Sequence, residues 1–387
     1  MELKENKKEA YKILSNVNIY TGEEVYLNSS ITFNQKIIKI IKNNNKDSIS
    51  TNYILLPGFI DHHTHGGYNN DFMAANDEIL SNILSNTIKE GITSIFPTTI
   101  SDKIINIKKA IKVIKNHQDL VNESKILGVH LEGPFLNPIF KGAQNNDYLL
   151  KPNLDIFKDL NEEKIIKIAS FAIELDDNYS LHSFLKKEKI IISAAHSNAT
   201  EEEVSRSLEE GLQLVTHTFN AMSKFSHRDI GLVGSALLYD SLYTELIADL
   251  VHVDEKAIKL LYKVKSADKI ILITDSMEAK GMDDGTYSLG NLKVDVINHV
   301  ARLKDSSLAG SCLKYIDGLK NFYKTTNCSI NELVKVSSLN IHKLHQLENR
   351  GKLSPGMYAD FVILDENLNI IQVYRDGNLV VNNEVIK

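Results

Sequence analysis

Cysteine is scarce in this chain of 387 residues: Cys312 and Cys328 are too far apart for a Cys-x-x-Cys pair and too few for a disulfide framework. Both read as reduced thiols of core or surface, which excludes a fold held together by disulfide staples. Excess positive charge is lacking too. A net charge of -6 and a pI near 6.1 offer no basic field for a polyphosphate backbone, so nucleic acid is not an expected partner. An anionic ligand has to be met by a local cation. No apolar stretch approaches the roughly 18 residues of a membrane span. The opening segment, MELKENKKEA, carries charge where a secretory leader has its apolar region, and the expectation is a cytoplasmic protein without membrane contact. With 43% hydrophobic and 24% charged residues, the chain has material for one large core and a smaller satellite.

What is present falls into two textures. Residues 11–20, 25–33 and 36–41 are short runs rich in Ile, Val, Tyr and Phe, broken by Thr21-Gly22 and followed by the Asn43-Asn44-Asn45 run. The same texture returns in 359–364, 370–375 and 378–382, after the turn-forming Ser354-Pro355-Gly356. The two ends, 1–56 and 348–387, therefore read as one small β domain into which the middle is inserted. Between 57 and 347 short apolar runs alternate with longer amphipathic stretches, the rhythm of β/α units around a parallel sheet. The runs are 53–60, 93–98, 126–131, 167–173, 189–195, 213–216, 244–251 and 269–274, with a capping box of Thr200 and Glu203 opening the clearest helix. Eight such repeats predict an α/β fold of the (β/α)8 barrel type, with a small β-sandwich built from the termini.

In a barrel of this kind the working side chains project from the C-terminal ends of the strands. Asp61-His62-His63-Thr64-His65 follows the first run, Glu132 the third, His196 the fifth, His217 the sixth, His252 the seventh and Asp275 the eighth. His63 and His65 stand two apart on an extended segment, so both imidazoles face one side and suit a shared cation. An HxH pair alone is weak evidence; its company of Glu132, His196, His217 and Asp275 at other strand ends makes a metal site the better reading. Amide hydrolysis fits these residue types. A metal held by His and Glu supplies hydroxide at neutral pH, a carboxylate such as Asp275 moves the proton, and no activated Ser or Cys is required. His117, His182, His299, His342 and His345 read as packed or solvated, and His62 as turned away from the site. His130 shares the inward face of Glu132, where support of the site and plain packing are equally open.

Several strings along the chain then carry a specific resemblance: PGFIDHHTHGG (57–67), HLEGPFLNP (130–138), KGAQ (141–144), AAHSNAT (194–200), VTHTFNAMS (215–223), ADLVHVD (248–254), ITDSMEAKG (273–281) and LAGS (308–311). In this order and spacing the chain resembles the N-acetylglucosamine-6-phosphate deacetylases, a family of metal-dependent amidohydrolases. The resemblance implies hydrolysis of N-acetylglucosamine 6-phosphate to glucosamine 6-phosphate and acetate, with Glu132, His196 and His217 as metal ligands and Asp275 as acid/base. It implies substrate contacts at Ala143, Gln144, Asn220, Ala221, His252 and the Leu308-Ala309-Gly310 segment. Arg228 falls where the family meets the sugar phosphate from a neighbouring subunit, which implies a homodimer; a guanidinium fork also meets the need for a local cation. Because His63 and His65 are retained, one or two divalent ions are expected, zinc or iron foremost, with cobalt and manganese suited to the same donors. Related binuclear barrels carry a modified lysine at the end of the fourth strand, where this chain has Ala172-Ile173-Glu174, and Glu132 is the natural substitute. The alternative reading is a barrel amidohydrolase acting on another N-acylated sugar or a cyclic amide.

Overall fold

The computed structural model describes residues 2–6, 11–42 and 52–384; the rest of the charged N-terminal segment and the Asn43-Asn44-Asn45 run lie outside the described residues. The terminal segments form one sheet, in the spatial order Asn378–Asn382, Ile370–Arg375, Phe361–Leu364, Ile54–Pro57, Tyr11–Tyr20, Val25–Phe33 and Ile37–Ile41, with Glu2–Asn6 paired onto Tyr11–Tyr20. Ile54–Pro57 is its hinge strand, parallel to Tyr11–Tyr20 and antiparallel to Phe361–Leu364. Alternation along these strands turns Leu14, Val17, Ile19, Phe33, Phe361 and Tyr374 into one apolar cluster. Phe33 stands edge-on to Phe361 at 5.1 Å, and Tyr374 stacks on Phe361 at 4.5 Å. Burial of each such ring contributes about 1.5–3 kcal/mol.

The inserted region supplies eight parallel strands: β1 (Phe59–Thr64), β2 (Ile92–Pro97), β3 (Val129–Glu132), β4 (Ile166–Phe171), β5 (Ile191–Ala194), β6 (Leu212–Val215), β7 (Tyr243–Ile247) and β8 (Ile270–Ile273). β1 pairs with β2, and β3 to β8 pair in sequence. A bridge between Thr98 and His130 links β2 to β3. The eighth strand meets the first through backbone bonds from Asp275 N–H to His63 O, 2.9 Å, and from His65 N–H to Ser276 O, 2.8 Å. Asp61 strengthens this seam, accepting the Thr274 hydroxyl at 2.6 Å and the Thr274 N–H at 3.2 Å. Inside, Ile60, Phe96, Ile168, Ile191, Leu214, Ile247, Ile271 and Ile273 pack together with Ile341 and Leu344 of the last helix, Asn340–His345.

The apolar run 53–60, read from sequence as one barrel strand, is two: Ile54–Pro57 belongs to the terminal sheet and Phe59 opens β1. Gly58 makes the junction, because a Cβ there would lie 2.1 Å from the Thr93 hydroxyl. The run 244–251 ends as a strand at Ile247, so His252 stands on the loop beyond it. The capping box of Thr200 and Glu203 forms, with the Thr200 N–H donating to the Glu203 carboxylate at 2.8 Å. A three-stranded antiparallel sheet, Gly285–Leu289, Leu292–Ile297 and Val300–Arg302, follows β8 and carries Ser307 and Leu308 toward the barrel mouth.

Candidate active site

Three of the chemistry-bearing residues share a local device. His196, His217 and Asp275 each stand two positions past the end of their strand with positive φ, 46°, 31° and 46°. A left-handed turn by a non-glycine residue costs energy, and here it directs each side chain into the barrel mouth. Glu132 closes β3 itself, and Gly133 makes the left-handed turn after it at φ 71°.

These turns gather a compact donor set. Glu132 Oε1 lies 3.1 Å from His217 Nε2 and 3.3 Å from His196 Nε2, and the two imidazole nitrogens are 3.2 Å apart. On the other side, Glu132 Oε2 and Asp275 Oδ1 each lie 3.3 Å from His65 Nε2, with His63 Nε2 3.5 Å from Asp275 and 3.3 Å from His65. Glu132 thus stands between two groups of potential ligands, Glu132–His196–His217 and His63–His65–Asp275.

The electrostatics follow from burial. Burial would raise the pKa of Glu132, but facing His63 and accepting hydrogen bonds from His196 and His217 hold it well below its usual value. Burial would likewise raise Asp275, and the charge of His63 with the hydrogen bond from His65 brings it down instead. In return, and against their own burial, Asp275 and Glu132 lift His63 to about 9 and His65 to about 10. Buried carboxylates therefore draw positive charge onto imidazoles, and among the described residues lining the cavity there is no lysine or arginine to provide it. A divalent cation meets the same need without protons. The donors are set for one. His196 Nδ1 donates to Phe140 O at 2.8 Å and His63 Nδ1 to Glu245 at 3.1 Å, so in each ring it is Nε2 that faces the cluster and that would ligate once an ion replaces its proton.

The cluster forms the floor of a cavity of about 320 Å³ whose lining includes Ala143, Gln144, Asn220, Ala221, His252, Leu308 and Gly310. Ala309 is fully buried behind that wall. Gln144 reaches the metal-ligand candidate itself, donating to Glu132 Oε2 at 2.8 Å while its carbonyl accepts the Ser101 N–H at 2.9 Å. His252 donates from Nδ1 to Asp249 at 2.7 Å, leaving Nε2 for the cavity. Arg228 is not brought to this site: it lies on the exposed loop 224–229, outside the lining.

Some contributors were not legible from residue type. Glu245, within β7, accepts from both His62 and His63. His62 does not line the cavity, as expected, but a register shift between Asp61 and Thr64 brings it and His63 to one carboxylate. His345, read as an ordinary packed residue, meets His62 at 2.8 Å. His130 lies beside His63 with ring centroids 4.5 Å apart; burial drops its pKa to about 3, and its Nε2 pairs with the Ser170 hydroxyl at 2.6 Å. Glu174 stays out of the cluster and accepts from Ser197 and Asn198, fixing the loop that follows His196.

The pattern of the amidohydrolase family matches residues 54–380. This chain belongs to the amidohydrolase family. The amidohydrolase is 40% identical over 329 residues to an N-acetylglucosamine-6-phosphate deacetylase of Lysinibacillus sphaericus, covering 84% of this chain and 85% of the relative. It is 36% identical over 381 residues to the protein of that name from Bacillus subtilis, covering 95% and 96%. Its fold superposes on the crystal structure of N-acetylglucosamine-6-phosphate deacetylase from Thermotoga maritima with a TM-score of 0.88 at 35% identity, over 96% of this amidohydrolase and 100% of that chain. Among the described residues no helix is long and apolar enough to cross a membrane.

Proposed function

We infer that this amidohydrolase removes the acetyl group of N-acetylglucosamine 6-phosphate, giving glucosamine 6-phosphate and acetate. The observation that carries the reading is the position of Asp275, a carboxylate at the cavity floor within 3.5 Å of both His63 and His65 and beside the Glu132–His196–His217 donors. Named relatives at 36–40% identity over most of the chain supply the substrate.

Glu132, His196 and His217 would hold one divalent ion, and His63, His65 and Asp275 are placed to hold a second beside it. When bound, such an ion activates water at neutral pH and polarises a carbonyl. Two buried carboxylates, Glu132 and Asp275, face the cluster, and among the described residues lining the cavity there is no lysine or arginine beside them, which favours two ions over one. Asp275, ionised at the outset, accepts a proton from the attacking water. Its Oδ atom then delivers that proton to the amide nitrogen as the C–N bond breaks, so acetate and the free amine leave together. His252, with its Nδ1–H engaged by Asp249, presents Nε2 to a sugar hydroxyl, while Asn220, Ala221, Ala143 and the Leu308-Ala309-Gly310 segment shape the wall around the ring.

Among the described residues lining the cavity there is no lysine or arginine for the phosphate. Arg228, exposed on its loop, serves that end from a second copy in a homodimer. Two unpaired thiols, Cys312 and Cys328, support a reducing, cytoplasmic setting.

The deciding experiment is acetate release from N-acetylglucosamine 6-phosphate, its galacto epimer and unphosphorylated N-acetylglucosamine, with metal content known before and after chelation. Metal-dependent turnover of the phosphorylated gluco sugar is expected. Full metal loading without turnover would move the assignment to another amide.

A further inference from the structure

Glu245 is fully buried in β7 and touches the site only through other residues. Its Oε1 lies 2.6 Å from His62 Nδ1; its Oε2 lies 3.1 Å from His63 Nδ1 and accepts the His217 N–H at 3.3 Å. An ionised carboxylate only accepts, so both Nδ1 atoms carry the proton. That leaves His63 Nε2 as the nitrogen facing His65 and Asp275, the one that becomes a ligating lone pair when an ion takes the place of its proton. It also leaves His62 Nε2 as an acceptor, and the partner it finds is His345 Nε2 at 2.8 Å, on the last helix. One assignment of protons therefore satisfies every contact from His345 through His62 and Glu245 to His63. With the other tautomer, His63 would present an N–H to the donor cluster and could not ligate.

We propose that Glu245 is a positioning residue that locks His63 into its ligating tautomer and so creates the second metal position, with His345 holding Glu245 in place through His62. The proposal rests on the reading of His63 and His65 as ligands.

The test is zinc stoichiometry and affinity of the full chain by equilibrium dialysis, independent of turnover. Glutamine at 245 offers one acceptor and one donor, so it cannot accept from both histidines. Glu245→Gln should therefore keep the tighter ion and weaken the other by about tenfold to hundredfold. On the far side, His345→Gln retains a donor toward His62 and should keep both ions near wild-type affinity, whereas His345→Leu should weaken the second. This pair decides the matter if Glu245→Gln fails to fold. Two ions bound by wild type, one by His63→Ala, and two with unchanged affinity by Glu245→Gln and His345→Leu would overturn the proposal while leaving the ligand reading intact. A single ion in wild type, unaffected by His63→Ala, would remove both.

Discussion

Gln144 holds Glu132: its amide donates to Oε2 at 2.8 Å, and its carbonyl is itself fixed by the Ser101 N–H. Family resemblance alone points to Gln144 as a sugar contact, yet this geometry gives it a direct role in orienting a carboxylate shared by both donor groups. Gln144→Ala is expected to weaken metal binding by about tenfold to hundredfold, the usual cost of losing a partner behind a ligand. Metal titration checks it. A variant with normal metal affinity and only a raised KM would return Gln144 to the substrate.

Asp275→Asn keeps the shape of the side chain but not its ability to accept and return a proton. Loss of the acid/base should lower kcat by about 100-fold to 10,000-fold, with at least the Glu132–His196–His217 ion retained. Single-turnover acetate release on protein of measured metal content separates the two effects, and a near-normal rate would exclude Asp275 from proton transfer.

Arg228→Ala should raise KM for the phosphorylated sugar and spare the rate with the unphosphorylated one. A charge-assisted hydrogen bond to phosphate contributes about 1.5–3 kcal/mol, or roughly tenfold to hundredfold in KM. Mixing decides whose site the arginine serves. If it acts across a dimer, inactive Asp275→Asn chains combined with Arg228→Ala chains regain high-affinity turnover, because the second chain keeps its own Asp275 and borrows an arginine. No recovery on subunit exchange would place Arg228 in its own chain's site, or nowhere near the phosphate.

Arg350 connects the barrel's end to the terminal sheet, donating to Asp360 and, at 2.5 Å, to Asp376, with its guanidinium 4.2 Å from the Tyr358 ring. Removing it strands a buried carboxylate on Asp360. Arg350→Ala should cost about 3–5 kcal/mol of stability, read from urea unfolding. A loss below about 1 kcal/mol would mean that water reaches these carboxylates freely.

The parts of this molecule that can be read from residues are those where one signal dominates. Apolar runs ending in His, Glu or Asp point to strand ends, and Glu132, His196, His217 and Asp275 stand at such ends in the structure. Glu245 was not readable, because a polar residue inside TELIADLV has the look of a solvent-facing position in an alternating strand, and only the closed ring turns it inward. His345 sits in NIHKLH, where polar and apolar residues alternate as on any surface helix; its role depends on a helix end packing under the barrel. That His62 shares a carboxylate with His63 does not follow from strict alternation, because the register of the strand shifts at that point. The small sheet 285–302 is not legible in the sequence, since its polar, turn-rich residues resemble a loop when their partners are not known.

Ile54–Pro57 is flanked by a strand from each end of the chain, and this has a consequence for synthesis. Its partner Tyr11–Tyr20 is already made when it emerges, but Phe361–Leu364 lies about 300 residues downstream. At about 5–20 residues per second, the ribosome leaves one edge of that apolar strand unpaired for roughly 15–60 s. During that interval the nascent chain carries a template for strand addition that the finished protein does not. Chains truncated before residue 361 keep that edge permanently, so they should be recovered as aggregates even though every barrel strand is present.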